Sequence, residues 1–101
     1  MEAIEGFEWD EDKRLQTLTQ RGIDFVDVAR VLLKCTYRYR SDRKGEERFV
    51  AIGPMGEGTL VAIVYTVRGK NLRIITARRA WPNEQRAYLH ALSVAPDEGA
   101  D

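Results

Sequence analysis

Thr59-Leu60-Val61-Ala62-Ile63-Val64-Tyr65-Thr66-Val67 is the stretch that decides the fold. It is apolar almost throughout and rich in β-branched residues, which pack well on a pleated surface. A strand with one wet face alternates polar and apolar positions, and this one does not. It is therefore read as the central strand, covered on both faces. Pro54-Met55-Gly56-Glu57-Gly58 before it and Arg68-Gly69-Lys70-Asn71 after it are turn sequences. Working outward, Leu72 to Arg79 forms the last strand, Glu47 to Gly53 the preceding one, and Thr36 to Arg40 the one before that. Ser41-Asp42-Arg43-Lys44-Gly45 is the turn between the first two of these. Short turns make the set an antiparallel meander.

The flanks read as helices. Ile4 to Trp9 alternates weakly, as a short strand would, and Asp10 can cap a helix over residues 11–20 whose apolar face is Leu15 and Leu18. Arg21-Gly22 ends that helix. Asp24 caps a second one, in which Phe25, Val28, Ala29, Leu32 and Leu33 follow the helical period. Pro82 suits the first turn of a closing helix running to about Leu92. The order β-α-α-β-β-β-β-α predicts an α+β fold: two N-terminal helices and a C-terminal helix packed on one face of a mostly antiparallel sheet of four to five strands. At 101 residues the chain is expected to form one domain over 1–94, with 95–101 a flexible acidic tail.

Composition excludes several chemistries. One cysteine and one histidine make neither a disulfide framework nor a Cys/His zinc site. Cys35, after an apolar helix, is read as a buried structural thiol. There is no G-x-S-x-G elbow, P-loop or G-x-G-x-x-G, so no nucleotide cofactor is expected. No apolar run reaches the ~20 residues of a membrane span. The chain opens with acidic residues where a signal peptide is basic, so a cytoplasmic, metal-free and cofactor-free protein is expected.

The formal net charge of zero conceals a strong asymmetry. Nine of the 16 acids lie in residues 1–12 and 97–101, which contain no Lys or Arg. Residues 13–96 therefore hold 7 acids against all 16 bases, a net of +9, and 12 of those bases are Arg. Arginine grips phosphate in a planar fork, and a positive body of this kind points to a polyanion, nucleic acid first. Period-2 alternation puts Arg48 on the face of Val50 and Ile52. It puts Arg78 with Leu72, Ile74 and Thr76, and Arg73 and Arg79 on the opposite face with Ile75 and Ala77. A guanidinium on a packed or concave face needs an anion. Either Glu46 or Glu47 supplies it, or the arginines line a phosphate site.

Phe7-Glu8-Trp9-Asp10-x-x-Lys13, Gly22-Ile23-Asp24-Phe25, Glu46-Glu47-Arg48-Phe49-Val50-Ala51-Ile52-Gly53, Leu60 to Tyr65, Arg73-Ile74-Ile75-Thr76-Ala77-Arg78-Arg79-Ala80, and the later Glu84, Arg86 and Tyr88 together resemble the BrnT family of type II toxins. The resemblance spans Phe7 to Tyr88. It implies a RelE-like fold and a ribonuclease that cleaves RNA without metal and arrests translation. It also implies a BrnA-like antitoxin that covers the toxin and brings a DNA-binding domain, so that DNA is met only through the antitoxin. Carried over by position, its polar residues are Lys13, Glu47, Arg48, Arg73 and Arg78.

The catalytic set expected from residues and resemblance together is Lys13, Glu47, Arg48 and Arg78. Glu47 or Lys13 would serve as base, and the two arginines would hold the phosphate. Arg73, Arg79, Arg86 and Arg21 are the expected further RNA contacts. The chain departs from the family pattern at three places: Gln20-Arg21 stands where the family has Lys-His, Thr17 where it has Asn, and Trp81-Pro82 where it has a Ser/Thr cap. A non-catalytic module of the same fold, binding nucleic acid or a protein through Trp81, Tyr37, Tyr39 and the arginines, is the alternative.

Overall fold

The structure is a computed structural model and describes residues 4–34, 37–56 and 58–94. Cys35 and the 95–101 tail lie outside the described residues. The elements are β1 (Gly6–Glu8), α1 (Glu11–Arg21), α2 (Phe25–Leu32), β2 (Tyr37–Arg40), β3 (Phe49–Pro54), β4 (Leu60–Arg68), β5 (Asn71–Arg79) and α3 (Pro82–Val94). They form an α+β fold around one five-stranded mixed sheet of order β1-β5-β4-β3-β2. β1 runs parallel to β5, and every other pair is antiparallel.

β4 lies at the centre, as its sequence requires. Val61, Ala62 and Ile63 are all fully buried although their side chains alternate between the two faces. Val61 and Ile63 face a core built with Phe25, Val28, Leu32, Leu72, Ile74 and Ala77. Ala62 faces a second core with Val50, Ile52, Ala80 and Tyr88. The first core lies under α2, and the second lies under α3. The helices therefore cover both faces of the sheet, which corrects the one-face expectation. After β5 the chain is pinned by Ala80 N–H donating to Leu60 O at 2.9 Å. Pro82 then starts α3 with Tyr88 turned onto the Val50–Ile52 side.

The helix caps form where the sequence places them. Asp10 accepts from Asp12 N at 2.9 Å, and Asp24 accepts from Val26 N at 3.0 Å. Gly22 (φ 70°) closes α1 in the left-handed conformation, its N–H donating to Leu18 O. The inward face of α1 differs from expectation. Thr17 is buried, while Leu15 and Leu18 are exposed. Among the described residues β1 pairs with β5 over Asn71–Arg73, and no strand pairs with the rest of that edge. α1 serves it with polar groups, Arg21 Nη1 donating to Ala77 O at 2.8 Å and to Thr76 Oγ1 at 3.2 Å. Arg14 ties the two helices together, bonding Glu11 at 2.7 Å and Asp24 at 3.1 Å. In α2, Val31 joins the buried set, and Leu33, which caps the helix, is exposed.

β5 carries the feature that positions the site. Its register against β4 passes from Val64↔Thr76 directly to Tyr65↔Ile74, leaving Ile75 as a β-bulge. A bulge resets the alternation. Leu72, Ile74 and Ala77 consequently share the α2 face. Arg73, paired with Thr66, then emerges on the same face as Thr76 and Arg78, paired with Val64 and Ala62. The separation of Arg73 from Arg78 expected from simple alternation is thus overturned.

Candidate active site

α3 covers only part of its face of the sheet. The remainder is a cleft formed by two adjoining cavities. One, of about 270 Å³, is lined by Asp10, Lys13, Glu46, Arg48, Thr66, Arg73, Ile74 and Ile75. The other, of about 280 Å³, is lined by residues that include Tyr39, Arg43, Arg48, Ile75, Thr76, Arg78 and Trp81. Arg48 and the bulged Ile75 belong to both. The cleft therefore brings together Lys13 from α1, Arg48 from the approach to β3, and Arg73 and Arg78 from β5.

Each arginine has an acidic neighbour. Arg48 Nε donates to Glu46 Oε1 at 2.7 Å, and its two terminal nitrogens have no partner among the described residues. Glu46 Oε2 likewise accepts nothing among them. Arg73 lies 3.7 Å from Glu8, whose other oxygen accepts from Asn71 Nδ2 at 2.8 Å. Arg78 is held most firmly, donating to Glu84 Oε1 at 2.7 Å and to Oε2 at 3.0 Å. Lys13 makes no ion pair among the described residues.

Glu84 anchors the upper end of the cleft. Its residue exposure is only 2%. It also accepts from Trp81 N at 2.8 Å and from Tyr39 Oη at 2.5 Å. Burial pushes its carboxyl pKa up, but bonds from Arg78, Tyr39 and Trp81 N–H outweigh this and hold it below the ordinary value. Burial, with the bond to Glu84, pushes the Tyr39 phenol up. The Arg78 guanidinium lies over the Trp81 ring, 3.6 Å from its centroid.

Glu47 is not in the cleft. Lys44 (φ 51°) and Gly45 (φ 80°) form a two-residue turn closed by Arg43 and Glu46, the geometry of a type I′ hairpin. That turn brings Glu46 to the cleft. The Glu47 side chain is 69% exposed, and its nearest cation is Arg40 at 3.5 Å. Its backbone carbonyl is fixed by Thr66 Oγ1 at 2.6 Å. Arg21 is engaged at the β5 edge. Arg79 is exposed and lines a separate cavity with Leu60 and Tyr88. Arg86 is exposed on α3, outside both halves of the cleft.

Sequence reading missed Glu84 as the partner of Arg78. The signal was present: Glu84 stands three residues after Trp81 at a helix start, where a Glu reaches back to the cap N–H. Arg43 and Thr66 had no comparable signal. Among the described residues no three His, Cys, Asp or Glu side chains cluster to hold a metal ion, and no helix is long and apolar enough to cross a membrane.

Residues 9–84 match the family described as the ribonuclease toxin BrnT of type II toxin–antitoxin systems. Among solved structures, the chain is similar to the crystal structure of the Brucella abortus ribonuclease toxin BrnT, with 27% identity and a TM-score of 0.59. That likeness covers 75% of this chain and 96% of the Brucella chain. No curated protein matches the chain.

Proposed function

The chain belongs to the BrnT family of ribonuclease toxins of type II toxin–antitoxin systems, and from that premise we propose that it cleaves RNA in the Arg48–Arg73–Arg78 cleft without a metal ion. The observation that carries this reading is the bulge at Ile75. It turns Arg73 and Arg78 to one face, with Arg48 between the two cavities they line.

The reaction is an in-line attack of the substrate's 2′-oxygen on the adjacent phosphorus. Glu46 Oε2 takes the 2′-hydroxyl proton, in place of the Glu47 or Lys13 expected as base. The 2′-O–P bond forms and the P–5′-O bond breaks. The Lys13 ammonium gives a proton to the departing 5′-oxygen. The products are a 2′,3′-cyclic phosphate and a 5′-hydroxyl. Arg48, through its two unoccupied terminal nitrogens, and Arg73 stabilise the charge that builds on the phosphoryl oxygens. Arg78, locked by Glu84, extends the cationic wall along the strand. In the cell, a BrnA-like antitoxin carrying the DNA-binding function covers this face in the cytoplasm.

Cleavage assays on the purified chain, paired with growth arrest on expression, test the assignment. Arg48→Ala and Arg73→Ala each lower the cleavage rate by roughly 10²–10³-fold, the usual cost of removing one preorganised electrostatic group. Arg79→Ala and Arg86→Ala leave it unchanged. EDTA has no effect, and the 3′ ends carry cyclic phosphate. Full toxicity in folded Arg48→Ala and Arg73→Ala variants refutes the site. RNA that binds with salt dependence yet stays intact selects the non-catalytic module instead.

A further inference from the structure

Trp81 is an exposed aromatic side chain, 54% exposed, and it lines the cavity that Arg48 and Arg78 share. Its setting is built rather than incidental. Its own backbone N–H is fixed by the buried Glu84 carboxylate. Arg78, fixed by the same carboxylate through two bonds, lies against the ring at 3.6 Å. One acid thus sets both members of a flat, cationic and aromatic stack at the end of the cleft. Among the described residues no acidic side chain lines this half of the cleft, where Arg43, Arg48 and Arg78 converge.

We propose that the Arg78–Trp81 pair is a nucleobase subsite, on which a base next to the scissile phosphate stacks while Arg48 holds the phosphate. Single-stranded nucleic acid is bound by this combination: a positive groove follows the backbone, and aromatic or guanidinium planes take the bases. The groove alone would also suit an acidic protein. The stack of an exposed indole on a guanidinium, opening into the phosphate-binding half, favours a base. The proposal rests on the cleavage reading for its substrate, and it adds a residue outside the chemistry that selects and orients that substrate.

The test uses the full chain and a short 2′-O-methyl RNA, which lacks the attacking hydroxyl and stays intact. A matched oligonucleotide carries abasic positions. The intact oligonucleotide quenches the Trp81 part of the indole emission, identified by its absence in Trp81→Leu. The abasic one produces no such quenching and binds about 5- to 150-fold more weakly, the range expected for one stacked base. Trp81→Leu shows the same loss and Trp81→Phe recovers most of it. In cleavage, Trp81→Leu raises KM with kcat largely retained. Equal binding of intact and abasic oligonucleotides, or wild-type affinity in Trp81→Leu, overturns the subsite and leaves a protein partner as the occupant of this stack. Quenching without any cleavage by the wild-type chain overturns the ribonuclease reading while the subsite stands.

Discussion

Replacing Glu84 by Ala removes one side chain and strands four donors. Two Arg78 nitrogens, the Tyr39 hydroxyl and the Trp81 N–H all lose their acceptor. The Arg78 side chain is only 18% exposed, so its charge is left without compensation where water reaches it poorly. Breaking a buried pair from one side typically costs about 3–5 kcal/mol. For a domain of this size each kcal/mol moves Tm by roughly 4–8 °C, so Glu84→Ala should melt roughly 12–40 °C below the parent. Thermal unfolding followed by circular dichroism measures it. The pair itself need not add net stability. Arg78→Met with Glu84→Gln removes both charges and keeps an acceptor for Tyr39 and Trp81. That double variant should recover most of the loss while cleaving poorly. The pH dependence has a definite sign. The folded Glu84 pKa lies below its ordinary value of 4.5, so its contribution is complete above that value and disappears as pH falls through the folded one. Glu84→Gln should therefore lose less stability than the parent on acidification. A Glu84→Ala protein that melts within about 4 °C of the parent, equivalent to roughly 1 kcal/mol or less, refutes the anchoring argument.

Deleting Ile75 removes the one residue of β5 that has no partner on β4. The chain should stay folded with Leu72 and Ile74 still in the core, whereas deletion of the paired Ala77 should unfold it; circular dichroism melts of the two decide. Arg21→Ala withdraws the donor from Ala77 O and Thr76 Oγ1. It should lower stability by about 1 kcal/mol in chemical denaturation and leave RNA affinity nearly unchanged, the reverse of what an RNA contact would show.

The central strand was legible because its physical cause is local: continuous β-branched residues suit a position buried on both sides. The caps at Asp10, Asp24 and Gly22 were legible for the same reason. What escaped the sequence depended on partners far along the chain. Alternation misplaced Arg73 because a bulge leaves no mark in Leu72-Arg73-Ile74-Ile75-Thr76-Ala77, where two adjacent isoleucines fit either parity. Leu15 and Leu18 looked like a packing face because an inward face is ordinarily apolar. α1 instead meets an open strand edge, and such an edge asks for donors. The side of the sheet taken by α3 was hidden because Tyr88, Leu89 and Leu92 share one helical stripe, of which only Tyr88 is buried, and a stripe does not say which side of a sheet it meets.

The sequence allows the arginines two roles, a structural pair or a phosphate site, and the geometry makes these compatible. A guanidinium has five N–H donors in one plane. Arg48 uses only its Nε on Glu46, leaving both terminal nitrogens unpartnered among the described residues. Arg78 turns one edge of its fork to Glu84 and lays its face on Trp81. The acids therefore fix the orientation of the cations before any substrate arrives, and a preorganised donor has little left to rearrange during the reaction. The cleft also remains electropositive. Lys13, Arg43, Arg48, Arg73 and Arg78 line it against Asp10 and Glu46. Glu84 lies buried at its end, where it holds Arg78 through two bonds. The surplus of bases in the body of the chain thus resolves into a few cations whose positions are set by carboxylates. That arrangement explains why losing an anchor such as Glu84 should damage the site as surely as losing an arginine.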